Sequence, residues 1–119
     1  MVDEAGARFG RLDVAVNNAG SEGPVDPIQG QTAETFAERF DTNVLGVILS
    51  MKHEVRAMQA EGCGSIINIS STYEGVPGVS VYVGGTQAFE GFSKSVALGI
   101  ASSGIRVTVG APGPTDTGM

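Results

Sequence analysis

A chain of 119 residues is long enough for a single domain, and 41% hydrophobic with 17% charged residues is typical of a globular protein rather than a disordered one. The formal net charge of −6, with only 7 Lys and Arg, excludes a surface that binds nucleic acid or an anionic membrane, because phosphate groups are bound by clustered cations. The single cysteine, Cys63, excludes an internal disulfide and fits a cytoplasmic location.

The first ten residues predict the end of a helix. Val2, Ala5 and Phe9 have helical spacing, and Gly10 is a typical stop signal. This stretch is acidic and lacks an apolar run, and no later segment reaches the ~18 apolar residues of a membrane span. We therefore expect neither a signal peptide nor a membrane partner.

A buried strand is predicted at residues 12–16, where the run LDVAV is apolar and partly β-branched. It leads into the polar turn NNAG at residues 17–20. Glycine and proline are frequent at residues 21–30, which predicts an irregular loop.

A long amphipathic helix is predicted to begin after Thr32, a typical N-cap residue. Apolar residues recur at helical spacing as far as Met58, and Gly62 ends the pattern. The sequence DTN at residues 41–43 interrupts it with poor helix formers, whose side chains compete for backbone hydrogen bonds. We therefore expect a kink or a break in the helix at this point.

Two more strands and a helix complete the pattern. Residues 65–71 (SIINISS) and 105–109 (IRVTV) predict buried strands, the second of them followed by a loop rich in glycine and proline. Between the strands, a helix is predicted from about residue 82 to residue 103. Its apolar face consists of Phe89, Phe92, Val96 and Ile100.

Strands that alternate with helices predict an α/β fold with three parallel strands, joined by right-handed crossovers that place both main helices on one face of the sheet. The strands are apolar on both sides, which is typical of a sheet covered on two faces. Only residues 1–10 are available for the second face. The sequence therefore predicts part of a domain.

Several features resemble the short-chain dehydrogenase/reductase family, in the order that the family has them. They are NNAG (17–20), Asn43 inside a long helix, SIINISS (65–71), Tyr82 at a helix start and IRVTVGAPGPTDTGM (105–119). Each is weak alone, but the ordered set covers nearly the whole chain. The resemblance implies a partial Rossmann-type doubly wound parallel sheet.

The resemblance also implies catalytic roles. Asn43 would hold a water molecule on a proton relay, and Ser71 would bind the oxygen of a small alcohol or carbonyl substrate. Tyr82 would be the acid/base group as a hydride passes to or from NAD or NADP. Such a transfer requires one group that polarises the C–O bond and another that moves its proton.

Cofactor contacts follow from the same resemblance. Asn18, Ala19 and Gly20 would lie along the adenosine side of the cofactor, and Tyr82 beside its nicotinamide. The edges of the nicotinamide and the pyrophosphate would be contacted by Pro112, Gly113, Thr115 and Thr117.

One position departs from the family pattern at the centre of this site. The family has a lysine four residues after the tyrosine, one helical turn along the same face, where this chain has Thr86. Threonine cannot supply the positive charge that favours a phenolate, and Lys94 lies ~12 Å farther along the helix axis. Gly84 and Gly85 would also weaken the helix by ~1 kcal/mol each.

The domain at residues 1–119 is expected to be incomplete. The family's first strand, with its glycine-rich TGxxxGxG turn, would precede Met1, and the segment that shapes the substrate pocket would follow Met119. His53 has no second histidine or cysteine cluster beside it in the sequence, so no metal site is expected.

Two functions remain open at this stage. The first is a short-chain oxidoreductase. The second is a non-catalytic truncated relative that acts by self-association, or by pairing with an intact homologue, through the two long helices; a homo-oligomer is expected in either case. A sugar-nucleotide epimerase or dehydratase is a weaker alternative, because the APGPTDTGM ending fits dehydrogenase-type members better.

Overall fold

The computed structural model of the chain describes residues 1–72 and 75–113. The helices and strands in chain order are α1 (Val2–Phe9), β1 (Val14–Asn17), α2 (Ala33–Phe40), a π-helical segment (Asp41–Leu45), α3 (Gly46–Glu61), β2 (Gly64–Ile69), α4 (Ser80–Gly99) and β3 (Ile105–Gly110), with short 3-10 turns at Ile28–Gly30 and Ala101–Ser103.

The three strands form one parallel sheet in the order β1-β2-β3. Ala15 pairs with Ile66, and Ile66 pairs with Val107 on its other side. The helical segments α2 to α3 connect β1 to β2, and α4 connects β2 to β3. This confirms the predicted α/β class. Because parallel strands all end at the same edge, the loops that follow them lie close together at the carboxyl edge of the sheet.

The core lies between the sheet and the helices α3 and α4. On the opposite face of the sheet, Val14 and Val16 are exposed, so the helices cover mainly one face, as predicted. Helix α1 packs mainly against α3. The buried core consists of Ala15, Val47, Met51, Met58, Ile66, Phe89 and Ile105.

The predicted interruption of the long helix is a π-helical turn. Thr32 caps α2, because its hydroxyl accepts a hydrogen bond from the backbone N–H of Thr35 at 3.2 Å. At the other end of α2 the helix widens, and the backbone N–H of Gly46 donates to the carbonyl of Asp41. A π-turn inserts one extra residue without ending the helix, and here it turns Asn43 into the interior.

Helix α4 differs from the prediction at both ends and on one side. It begins at Ser80, before Tyr82, and it ends at Gly99, after which the chain forms a 3-10 turn. Phe89 is buried, but Phe92 is 41% exposed. At about 100° per residue, Phe92 lies about 60° around the helix from Phe89, at the margin of the apolar face.

No helix within residues 1–72 and 75–113 combines the length and apolar character needed to cross a membrane. Among these same residues, no three His, Cys, Asp or Glu side chains lie close enough together to hold a metal ion.

Candidate active site at the carboxyl edge of the sheet

Ser71 follows strand β2 and lies between two backbone hydrogen bonds to the loop after β3. The N–H of Ser70 donates to the carbonyl of Gly110 at 2.7 Å, and the N–H of Thr72 donates to the carbonyl of Pro112 at 3.2 Å. The Thr72 hydroxyl donates to the same Pro112 oxygen at 3.1 Å. The pairing of β2 with β3 thus continues beyond both strands, and it places the buried Ser71 beside the loop that contains Pro112.

The side chain of Ser70 connects the end of β2 to α4. Its hydroxyl donates to a carboxylate oxygen of Glu90 at 2.6 Å and lies 3.5 Å from the carbonyl oxygen of Thr86. Thr86 is one helical turn beyond Tyr82, and Ser70 is adjacent to Ser71. This junction therefore joins the segment that contains Ser71 to the helix that contains Tyr82.

Sequence reasoning did not predict the junction. Glu90 lies two helical turns after Tyr82, so its position on the same face as Tyr82 and Thr86 could have drawn attention to it. Its partner on another element could not be read from helical spacing.

Thr86 is buried, and its hydroxyl donates to the carbonyl of Val83 in its own helix at 3.0 Å. Tyr82, the third residue of α4, is half-buried. The residue at the family's lysine position is therefore neutral and hydrogen-bonded within α4. It supplies no positive charge to the site.

Asn43 forms hydrogen bonds with the loop that follows β1. Its side-chain oxygen accepts a hydrogen bond from the N–H of Ser21, and its side-chain nitrogen donates to the carbonyl of Ser21, both at 2.8 Å. Gly20 lies against the same carboxamide, because a Cβ there would be 3.6 Å from the Asn43 oxygen. Both polar groups of the Asn43 side chain are therefore engaged by Ser21. The role of Asn43 in a proton relay stays a prediction.

A buried polar network that the sequence analysis missed anchors the end of β1. Asn17 and Asn68 are paired residues of adjacent strands, and the amide nitrogen of Asn17 donates to the side-chain oxygens of Asn68 at 2.8 Å and Glu54 at 3.0 Å. Asn68 in turn donates to the Ser93 hydroxyl at 2.8 Å. The network thereby joins β1, β2, α3 and α4.

Glu54 is the one acidic member of this network. It is 3% exposed, and burial raises the pKa of its carboxyl, although the hydrogen bond from Asn17 opposes that change. Its position between Met51 and Met58 on the apolar side of α3 was the sequence signal that could have revealed it.

Five of the residues implied as cofactor contacts lie in loops at this edge. Asn18, Ala19 and Gly20 are exposed after β1, and Pro112 and Gly113 are exposed after β3. Thr115 and Thr117 lie outside the described residues. The exposed groups are a neutral carboxamide and short stretches of backbone, which suit hydrogen bonding to a nucleotide.

Comparison with known proteins identifies relatives over nearly the whole chain. The short chain dehydrogenase family matches residues 1–119. Xanthoxin dehydrogenase of Arabidopsis thaliana is 42% identical in an alignment of 114 positions that covers 93% of this chain and 40% of that protein.

Solved structures agree with this sequence match. NAD+-bound xylitol dehydrogenase superimposes with a TM-score of 0.93 at 31% identity, over 98% of this chain and 46% of that one. ElxO with NADP bound superimposes with a TM-score of 0.89 at 35% identity, over 94% of this chain and 46% of that one. The chain spans less than half the length of these three proteins.

Proposed function

Because the chain belongs to the short-chain dehydrogenase family, we propose that it carries the catalytic hydroxyl groups of an oxidoreductase that interconverts an alcohol and a carbonyl compound. The observation that carries the proposal is the junction of Ser70 with Glu90 and Thr86, which joins the end of β2 to the middle of α4, one to two turns beyond Tyr82. Ser71 follows β2, and Tyr82 is the third residue of α4, so the junction supports assigning both hydroxyls to one site.

Ser71 donates a hydrogen bond to the substrate oxygen and orients the C–O bond. Tyr82 accepts the hydroxyl proton when an alcohol is oxidised, and it returns a proton to the oxygen when a carbonyl is reduced. The nicotinamide cofactor, when bound, accepts or supplies the hydride at the substrate carbon. Asn43 keeps the neighbouring loop in place through Ser21 and would hold the water through which the proton reaches solvent.

NAD or NADP is the proposed cofactor, and the solved relatives bound to NAD+ and NADP support it. Asn18, Ala19 and Gly20 would bind its adenosine side. The nicotinamide and pyrophosphate would be contacted by Tyr82, Pro112, Gly113, Thr115 and Thr117. We place the protein in the cytoplasm, because a chain with a single cysteine needs no oxidising compartment.

A second candidate is a non-catalytic relative that associates through its helices. Two observations favour it: Thr86 supplies no cation to Tyr82, and apolar side chains are exposed on the outer surfaces of the long helices. Leu45, the last residue of the π-helical segment, lies one turn before Leu49 of α3, and Phe92 lies on α4. Self-association through these helices is proposed for the oxidoreductase as well.

Cofactor binding is the experiment that tests the proposal. Titration of the chain with NADH and with NADPH, followed by nucleotide fluorescence, should give saturable binding of at least one of them. Replacing Gly20 with Val should weaken nucleotide binding, because the branched side chain would fill space beside the Asn43 carboxamide, where the nucleotide is proposed to bind. Gly91→Val on the exposed side of α4 is the matched control, since a Cβ there meets no atom within 4 Å. No binding at millimolar nucleotide would refute the proposal for this chain and favour the second candidate.

A further inference from the structure

Arg39 is a charged residue in an unusual environment. Its side chain is 5% exposed, and its guanidinium donates to two neutral oxygens, the side-chain oxygen of Gln31 at 2.9 Å and the carbonyl of Pro24 at 2.8 Å. In the part of the chain that the structure describes, no carboxylate lies within ion-pair distance of it. Burial of an unpaired cation is costly, so these two hydrogen bonds determine where the guanidinium sits.

Both partners belong to residues 21–31, which we term the β1–α2 loop. Pro24 is near its middle, and Gln31 is its last residue. Gly23 packs directly on the guanidinium with a φ of +66°, and a Cβ at this position would overlap it. Arg39 is one helical turn before Asn43, which binds Ser21 at the start of the same loop. One side of the helix therefore holds the loop at its start, middle and end.

The loop in turn holds the segment that leads to Tyr82. The N–H of Asp26 donates to the carbonyl of Gly78 at 2.9 Å, and the amide of Gln31 donates to the carbonyl of Asp26 at 3.0 Å. Gly78 has a φ of +82°, and a Cβ there would lie 2.6 Å from Val25. Gln31 thus connects Arg39 to the backbone pairing between the loop and the turn before α4.

Three apolar side chains project from these joined segments. Val25 is 70% exposed and Ile28 is 68% exposed on the β1–α2 loop, and Val76 is 44% exposed on the turn before α4. These residues belong to loops at the same edge of the sheet as Ser71. Exposed aliphatic groups beside polar catalytic groups favour a ligand with an apolar body, since each buried CH₂ group contributes about 0.8 kcal/mol.

We propose that Arg39 is a positioning residue that holds the β1–α2 loop against the turn before Tyr82, so that Val25, Ile28 and Val76 form an apolar rim that selects alcohols and ketones with an apolar body over polyols. The proposal rests on the proposed function for its substrate class. The positioning role rests on the hydrogen bonds of Arg39 alone.

Hydrogen–deuterium exchange of the intact chain tests the positioning role without any activity. Arg39→Met should accelerate exchange in residues 22–31 and 75–80 by roughly tenfold or more, the loss expected when a charged hydrogen bond is removed. Arg39→Lys, which keeps the charge but can reach only one acceptor, should give a smaller effect. Arg56→Met, at a surface arginine paired with Asp3, is the control and should change the exchange rate of neither segment.

Two outcomes would overturn the positioning role of Arg39. The first is equal acceleration of exchange in β2 and β3, which would show general destabilisation. The second is unchanged exchange in the β1–α2 loop.

Gln31→Leu provides a second route if Arg39→Met does not fold. It removes the connection between Arg39 and Asp26, and it should accelerate exchange in the same two segments. If both segments of Gln31→Leu exchanged as slowly as they do in the parent chain, the result would contradict the proposal.

Selectivity is tested by binding of cyclohexanol and xylitol, measured by saturation-transfer NMR. The parent chain should bind cyclohexanol more tightly, and Arg39→Met should weaken cyclohexanol binding several-fold while xylitol binding stays unchanged. Equal effects on both alcohols, or tighter binding of xylitol by the parent chain, would overturn the selectivity. Selective binding of cyclohexanol without any hydride transfer would refute the proposed function, while the positioning role of Arg39 and the preference of the apolar rim for apolar ligands would stand.

Discussion

Ser70 and Glu90 form a hydrogen bond of 2.6 Å between the end of β2 and the middle of α4. The residue next to Ser70 is Ser71, and the helix that carries Glu90 begins beside Tyr82. We therefore expect the relative placement of the proposed catalytic pair, Ser71 and Tyr82, to depend on this hydrogen bond.

Glu90→Ala should therefore lower activity without removing a catalytic group. The short hydrogen bond has a charged acceptor, so its loss should destabilise the fold by about 1.5–3 kcal/mol. Ser70→Ala should have a similar effect on kcat, because it breaks the same contact. Steady-state kinetics and urea denaturation of both variants test this, with Glu61→Ala at the exposed end of α3 as the control. Full activity in both variants would show that the junction does not position the pair.

Glu54 predicts a particular dependence of stability on pH. Because burial raises the pKa of its carboxyl, the folded state binds more protons than the unfolded state above the ordinary glutamate value of about 4.3. The free energy of unfolding should therefore fall as the pH rises from that value through the raised pKa. Glu54→Gln, which can still accept the hydrogen bond from Asn17, should remove this fall and be more stable than the parent chain at pH 8.

Urea denaturation at pH 5 and pH 8 measures the effect of Glu54, and Glu61→Gln on the exposed end of the same helix is the matched control. If Glu54→Gln and the parent chain lost equal stability between the two pH values, Glu54 would not be the group responsible.

Substitution of alanine for glycine should have opposite effects on stability at two positions, Gly84 and Gly104. Gly84 lies inside α4, and a Cβ there meets no atom within 4 Å, so Gly84→Ala should stabilise the fold by about 1 kcal/mol. Gly104 has a φ of +74°, and a Cβ there would overlap the carbonyl oxygen of Gly62, so Gly104→Ala should destabilise it by at least about 1–2 kcal/mol. Urea denaturation of both variants tests the pair. A destabilising Gly84→Ala would mean that α4 requires glycine beside Tyr82.

Thr86→Lys tests the departure from the family pattern. A lysine one turn after Tyr82 would favour the phenolate electrostatically and should raise the rate of alcohol oxidation at neutral pH by about tenfold or more. The side chain of Thr86 is buried, so some stability should be lost. Thr86→Met, of similar volume but neutral, is the control. If neither variant turned over substrate, the result would favour the non-catalytic candidate.

Most of the fold could be predicted because its signals are local. The apolar runs at β1, β2 and β3 and the helical spacing in α3 and α4 are each properties of a few adjacent residues. The poor helix formers at residues 41–43 likewise indicated an interruption, and the structure shows it as the π-helical segment Asp41–Leu45.

The contacts within the site could not be predicted in the same way. Ser70 with Glu90, and Asn17 with Glu54, join residues far apart in the chain, so no periodicity contains them. The exposure of Phe92 also depends on which neighbours α4 contacts, and helical spacing alone does not determine that. The resemblance to the family pointed to Ser71 and Tyr82 as candidate catalytic residues, but it did not point to the hydrogen-bonded residues near them.

Hydride transfer tests the proposed oxidoreductase function directly. The chain should reduce NAD+ or NADP+ when cyclohexanol is added, as followed by absorbance of the reduced nucleotide. Tyr82→Phe should lower kcat by roughly 10²–10⁴-fold while nucleotide binding is retained, because the phenol hydroxyl acts only on the proton. Ser71→Ala should also lower kcat. A parent chain that binds nucleotide but whose rate is unchanged by Tyr82→Phe would contradict the central claim.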